Sequence, residues 1–110
     1  MPFVYKTLGQ TAPADTNNAN IYTVPSATQA IVSSIVVCNT TTSPSSFRVF
    51  QRIDGATAAA SNAVAYDVAI AANSTLSLEL KLTIDAADVI TVRSGNANAL
   101  TFTLNGSEIS

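Results

Sequence analysis

The residue types that most often carry enzyme chemistry are scarce in this 110-residue sequence. It contains no histidine, which is the usual general base near neutral pH and the commonest metal ligand. Its one cysteine, Cys38, lies in the apolar stretch 28–39, so we expect it to pack in the core rather than to act as a nucleophile. Because no base and nucleophile set is visible, the sequence predicts a protein that is not an enzyme and needs no cofactor.

The acidic residues are spread over predicted turns and strand exteriors, and Asp85 and Asp88 form the only close pair. A lone D-x-x-D has too few ligands for a calcium loop, so we interpret the pair as turn-forming and predict no metal site.

The glycosylation-type patterns at Asn39, Asn73 and Asn105 are formal matches only, because we expect no export by a signal peptide. One tyrosine per strand is ordinary core packing, although a tyrosine can also stack on a sugar or anchor an interface.

Charged residues make up only 11% of the chain, against roughly 25% in typical soluble domains. The net charge is −2, and the five cations do not cluster, so we expect neither a nucleic-acid partner nor a membrane partner. A polar but nearly uncharged surface repels its neighbours weakly and therefore suits a protein that is packed into an assembly. Together with the apolar stretch 28–39, it predicts a homo-oligomer, most simply a trimer.

The stretch 28–39, TQAIVSSIVVCN, is the longest apolar run, and its branched residues favour a strand. Read at period two, neither of its faces is polar, so we place it in the centre of a sheet, with the core under one face and another layer or subunit over the other. The clearest alternation follows later, where four leucines, Leu76, Leu78, Leu80 and Leu82, alternate with polar residues. These leucines are expected to face inward.

About eight strands alternate with turns rich in Gly, Pro, Asn and Ser, and we find no amphipathic helix. The segment 56–63 is predicted to be an irregular loop, although its alanines would permit one helical turn. Asn105-Gly106 could start a hairpin turn, but too little chain follows it, and the last clear strand is predicted to end at Leu104. The fold class is therefore all-β, a single sandwich domain over 1–110 of the jelly-roll type. An immunoglobulin-like sandwich is the alternative, weakened by the absence of Trp and of a cysteine pair.

The order and spacing of several short motifs resemble those of small β-rich virion proteins of tailed bacteriophages. The motifs span nearly the whole chain: YKTLGQ from Tyr5, IYTVP from Ile21, residues 31–39, FRV from Phe47, AYDV from Ala65, DVITV from Asp88 and GSEI from Gly106. The resemblance implies a structural component without enzymatic activity, repeated in the particle and assembled in the host cytoplasm. Head, neck and tail locations all stay open.

Our functional hypothesis is a head decoration (cement) protein that binds the major capsid protein or other virion proteins, and stabilises the shell. A neck, tail or fibre component and a carbohydrate-binding adhesin module are the alternatives. Residues 1–20 are a candidate N-terminal arm and loop, because their apolar residues could anchor on a partner. The equally weighted alternative is that 3–8 is an edge strand of its own sandwich. The candidate interface residues are Phe3, Val4, Tyr5, Leu8 and Tyr22.

Overall fold

The computed structural model describes residues 3–109, with Phe3 described by its backbone alone. Eight strands build it: β1 (Phe3–Thr11), β2 (Ala19–Thr23), β3 (Gln29–Asn39), β4 (Ser45–Arg52), β5 (Ala63–Ile70), β6 (Thr75–Ile84), β7 (Val89–Ser94) and β8 (Leu100–Ile109). Two single 3-10 turns, Ile53–Gly55 and Ala60–Asn62, interrupt the segment between β4 and β5. The predicted all-β class is confirmed, and the helical turn that alanine composition permitted does form.

The strands form two four-stranded sheets, sheet A in the order β1-β8-β3-β6 and sheet B in the order β2-β7-β4-β5. All neighbouring strands are antiparallel. Only β4 and β5 are consecutive strands that also pair, and every other connection crosses from one sheet to the other. This alternation is the jelly-roll arrangement of two interlocked Greek keys. It separates the fold from the immunoglobulin-like alternative.

The core lies between the inner faces of the two sheets and is built from the alternating apolar residues of each strand. Phe47 of sheet B and Phe102 of sheet A meet edge to face at its centre, with ring centroids 6.1 Å apart and an interplanar angle of 75°. The leucines of β6 face this core as predicted, but they are half-buried because β6 is an edge strand. Their polar neighbours Glu79 and Lys81 are exposed.

Strand β3 is central in sheet A, as predicted, but a bulge changes how its two apolar faces are used. The register shifts between Val32 and Ser34 against both neighbouring strands. Ala30 and Val32 point into the core before the bulge, and the residues of opposite parity, Ile35 and Val37, do so after it. An extra residue in one strand reverses the side-chain alternation beyond it. Both faces of 28–39 look apolar in the sequence largely because the core-facing residues change from even to odd numbers at the bulge.

Strand β8 runs to Ile109, so the prediction that the last strand ends at Leu104 is wrong. Asn105-Gly106 does not turn; it continues the ladder between β1 and β3. A Cβ atom at position 106 would collide with the Ile31 carbonyl oxygen and approach Leu8 Cδ1 to 3.0 Å. Glycine is needed here because the neighbouring strand and a core side chain come too close for any larger residue.

Candidate interaction surface

Within the candidate arm and loop 1–20, residues 3–11 are paired with β8 along their length and form an edge of sheet A. Val4 and Tyr5 are 50% and 81% exposed, which leaves both accessible to a partner. Leu8 is instead a buried member of the core. The side chain of Phe3 lies outside the described residues. Residues 3–11 thus form an edge strand of their own sandwich, and a contact role for 1–20 stays a prediction.

The fifth interface candidate, Tyr22 on β2, joins the two sheets at one end of the sandwich. Its hydroxyl donates a hydrogen bond to Glu108 Oε2 on β8, and Lys6 Nζ on β1 lies 3.2 Å from Glu108 Oε1. The Tyr22 bond and, to a lesser degree, Lys6 hold the pKa of Glu108 below its usual value. Burial, reinforced by the bond to Glu108, raises the pKa of Tyr22. Tyr22 thus serves an internal contact, which its position in the sequence does not reveal.

The outward side chains of the two central strands of sheet A form an uncharged surface, which we call face A. It consists of Ile31, Ser33, Val36 and Cys38 from β3 and of Thr101, Thr103, Asn105 and Ser107 from β8. Ser107 is buried, and the others are half-buried or exposed. The only charged side chains beside them on this side of the sheet that the structure describes are Glu79 and Lys81 on the edge strand β6. The centre of face A therefore offers hydroxyl, amide and small apolar groups.

A groove of about 370 Å³ runs along one side of face A, between β3 and β6. It is lined by Ile31, Ser33, Ser34, Glu79, Leu80 and Lys81. The bulge in β3 lies here, at the position where β6 also breaks its regular pairing with β3. Bulges bend a strand and redirect its side chains, which accounts for a concave stretch in an otherwise flat face.

Cys38 does not lie in the core, so the expectation that it packs there is wrong. It lies after the bulge with the same parity as the half-exposed Val36, on face A. Residue 39 takes the inward position instead, and Asn39 is 1% exposed. There Asn39 donates a hydrogen bond from Nδ2 to the carbonyl oxygen of Ser43 and accepts two at Oδ1, from the backbone N–H and the hydroxyl of Thr41. Period-two counting could not reveal this exchange, because the bulge has no signal of its own in the sequence.

The outward side of sheet B, which we call face B, is partly covered by the segment 53–62. Arg52 at the end of β4 donates hydrogen bonds to the carbonyl oxygens of Gly55 and Ala56. The same side chain donates to Asn20 Oδ1 and Thr91 Oγ1, at 3.0 and 3.2 Å. On the same outward side of β4, Phe50 is 3% exposed although it lies outside the main core cluster, and the turn 60–62 lies next to β4. Arg52 thus holds the segment 53–62 close to a second, smaller apolar site.

The remainder of face B carries a charged cluster around Arg48. Its guanidinium pairs with both carboxylate oxygens of Asp67, at 2.7 and 3.2 Å, and stacks on the Tyr66 ring at 4.0 Å from the centroid. The hydrogen bond from Arg48 lowers the pKa of Asp67. A weak signal for this cluster is present in the sequence, since Arg48 alternates with the apolar residues of its strand, but alternation cannot show which acid pairs with it.

The acidic pair Asp85 and Asp88 forms a turn, as interpreted from the sequence. The carboxylate of Asp88 accepts hydrogen bonds from the backbone N–H groups of Asp54 and Asp85, each at 2.9 Å. These bonds tie the β6–β7 turn to the segment after β4. Among residues 3–109, no group of three or more metal-ligating side chains is found, and no helix is long and apolar enough to cross a membrane.

The sequence matches no protein-family model, and no curated protein sequence matches it. The fold is similar to a chain in the structure of the Gx strain of infectious bursal disease virus, with a TM-score of 0.55 and 12% identity. The match covers 97% of this chain and 30% of the viral chain. A chain in the structure of the Gt strain gives a TM-score of 0.46 and 11% identity, covering 97% of this chain and 32% of that one. The first likeness shows a shared fold, and the second score is too low to support one.

Proposed function

We propose that this chain is a structural protein of a virus particle, specifically a decoration (cement) protein that binds and stabilises a bacteriophage head. The observation that carries the proposal is a complete eight-strand jelly roll with one outer face free of charge at its centre. Jelly rolls are a recurrent fold of virus particles, although fold alone does not define function. The likeness to a chain of a virus structure supports the same general role.

Face A is the surface proposed to contact the shell. The centre of a protein interface is depleted of charged residues, because each charge buried there must lose its hydration. Face A has this composition before any partner is bound, whereas face B places arginines and an aspartate at its surface. Its threonines and serines can donate and accept hydrogen bonds, and its small apolar residues add close contact.

Residues 1–20 are proposed to extend this contact surface. The exposed Val4 and Tyr5 lie on the edge strand beside β8, so they can reach a neighbouring subunit without leaving the sheet. Removing the segment would also remove Leu8 from the core. The contact is therefore better tested by Thr7→Lys, which places a charge at an exposed position opposite Asn105 of face A and leaves the core intact.

A homotrimer is the proposed oligomer. Ile31 and Val36 leave some apolar area on face A, which a second copy or a capsid subunit would cover. Three copies on one local threefold site would bind multivalently, so individually weak contacts would hold firmly. Sedimentation equilibrium at micromolar concentration, with and without particles, measures the oligomer directly.

A carbohydrate-binding adhesin is the second candidate, since lectins also use jelly rolls. A sugar platform needs an open aromatic face, and one face of the Tyr66 ring is covered by the Arg48 guanidinium. That contact favours the virion role. Strong and specific binding on a glycan array would reverse the preference.

The decisive experiment compares two threonine variants for occupancy on purified particles. Thr101→Arg places a charge in face A, and Thr23→Arg adds the same charge at an exposed position of β2 on the other sheet. We expect Thr101→Arg to lower the copy number at least about tenfold, because an interface excludes an unpaired charge, and Thr23→Arg to leave it unchanged. Equal occupancy of the two variants would refute face A as the contact surface. Immunogold labelling of necks, tails or fibres instead of heads would overturn the decoration assignment.

A further inference from the structure

Arg48 on β4 and Arg93 on β7 occupy directly opposite positions in the middle of sheet B. Opposite residues of antiparallel strands have Cβ atoms about 5 Å apart, and like charges at that separation are destabilising. Asp67 compensates one of them by its two-point pairing with Arg48. Two guanidinium groups and one carboxylate leave a net charge of +1, on a chain whose overall charge is −2. The fold thus maintains a local positive surplus.

The Arg48 side chain is held by an irregular piece of backbone. Between the pairs Phe47–Val68 and Val49–Ala65, β5 contains one residue more than β4. Within this bulge Asp67 has a φ of 52°, a conformation that costs a non-glycine residue free energy. The bulge brings both Tyr66 and Asp67 onto Arg48. Bulges that redirect side chains are common beside functional sites.

The second arginine is also oriented, but its outer nitrogens are not used. Arg93 Nε donates a hydrogen bond to the carbonyl oxygen of Thr16 at 2.8 Å, which fixes the plane of the guanidinium. Within residues 3–109, neither Nη atom of Arg93 has a hydrogen-bond partner. Both guanidinium groups line a cleft of about 100 Å³, together with Ser46, Phe47, Asp67 and Gly95. At Gly95, a Cβ atom would lie 2.6 Å from Ser46 Oγ, so glycine leaves the space beside that hydroxyl open.

We propose that this cleft binds a single carboxylate, presented by an acidic side chain of a partner protein. Arg93 would bind it through its two Nη groups, a geometry that matches a carboxylate, and Ser46 would donate a further hydrogen bond. A net charge of +1 matches a monoanion, while the adjacent Asp67 would repel a phosphate dianion. The cleft is shallow and open, and the Arg48–Tyr66 stack beside it is the kind of surface that anchors protein contacts. The site lies on the sheet opposite face A and does not depend on the virion role.

The test uses the full chain and a capped peptide, acetyl-Ala-Glu-Ala-amide, whose only charge is one carboxylate. The Arg Nε–H signals of Arg48 and Arg93 are followed by NMR during titration, and we expect saturation in the millimolar range. Acetyl-Ala-Gln-Ala-amide is the control peptide, and inorganic phosphate is the competing anion. Arg93→Gln should weaken binding of the glutamyl peptide about tenfold or more, the effect of losing a charge-assisted hydrogen bond. Lys81→Gln removes the same charge from sheet A and should change nothing.

A further variant keeps the proposal testable if Arg93→Gln fails to fold. Asp67→Asn removes the competing carboxylate and fits the same backbone conformation, so binding of the glutamyl peptide should tighten several-fold. Equal binding of the glutaminyl peptide, or equal losses in Arg93→Gln and Lys81→Gln, would overturn the site. Tighter binding of phosphate than of the glutamyl peptide at these residues would overturn the carboxylate assignment. Each outcome leaves the proposed binding of face A to particles unaffected.

Discussion

Face A and face B belong to sheets with four strands each, yet the side chains on the two outer surfaces differ in how far they are bonded within the chain. Most of face B is closed by its own chain, because Arg52 hydrogen-bonds to the segment 53–62 and Arg48 pairs with Asp67 and stacks on Tyr66. The cleft at Arg93 is the part of face B that stays open. Face A presents hydroxyl, amide and small apolar groups, with charges only at its β6 edge among the described residues. Where side chains are bonded within the chain, as around Arg52 and Arg48, a surface mainly stabilises the fold. Where hydroxyl, amide and apolar groups remain accessible, as on face A, the surface is suited to binding a partner.

The largest expected difference between the faces comes from removing an apolar side chain from each. Phe50→Ala, on face B, should lower the free energy of unfolding by about 3–5 kcal/mol, because Phe50 is only 3% exposed. Val36→Ala, on face A, should cost only about 1 kcal/mol, since Val36 is half-buried. Urea denaturation of both variants measures the difference. Equal losses would mean that face B is no better covered than face A.

A second comparison concerns the long cationic side chains. Arg52→Met retains the aliphatic stem but removes the hydrogen bonds to the segment 53–62, Asn20 and Thr91, so we expect a loss of about 2–3 kcal/mol. Lys81→Met, on the exposed edge of sheet A, should stay within about 0.5 kcal/mol of the original protein. Thermal unfolding followed by circular dichroism gives both values. Faster proteolysis after Arg52→Met should map to residues 53–62, and cleavage elsewhere would contradict the proposed fastening role.

The contact between Tyr22 and Glu108 joins the two sheets and belongs to neither outer face. Its loss therefore measures how strongly the two sheets hold together, independently of both outer faces. Tyr22→Phe should cost about 1–2 kcal/mol at pH 7, because it removes a hydrogen bond to a charged group. The pKa of Glu108 is lowered in the folded state, so its stabilisation is present above its ordinary value of 4.5 and is lost as pH falls through the folded value.

The difference between the original protein and Tyr22→Phe should therefore shrink as pH falls below about 4.5. Urea denaturation at pH 7, 4.5 and 3 measures this dependence. Ser77→Ala is the control, since it removes a hydroxyl that is exposed on the edge strand β6. A constant difference at all three pH values would show that Glu108 ionisation does not strengthen the contact.

The smallest expected effect on stability comes from Cys38, which serves as a reporter on face A. Cys38→Ser should change the free energy of unfolding by about 0.5 kcal/mol or less, because the new hydroxyl is half-exposed and can reach water. A maleimide reagent should label Cys38 in the native protein. Particle binding should slow that labelling if face A is the contact surface. If labelling required unfolding, Cys38 would have to lie in the core, which would contradict the position of the bulge.

Regular alternation made much of the architecture predictable. The leucines of β6 identified a strand, and the branched residues of β3 identified a strand in the centre of a sheet. Burial at every second residue requires apolar residues at those positions, so it is visible in the sequence. Gly, Pro, Asn and Ser between them marked the turns, and Asp85 with Asp88 was correctly interpreted as turn-forming. The prediction failed at two places: the bulge in β3 moved Cys38 out of the core, and the turn-type pair Asn105-Gly106 continues β8 as strand.

Composition and alternation are enough to predict an all-β sandwich with a weakly charged surface, because both act locally and add up along the chain. Which residues meet across the strands depends on the three-dimensional packing. The bulge in β3 moved Cys38 to face A, and the pairing of β4 with β5 and β7 assembled Arg48, Asp67 and Arg93. A bulge and a strand order are set by the packing of segments that are distant in the sequence, so neither can be deduced from any one segment.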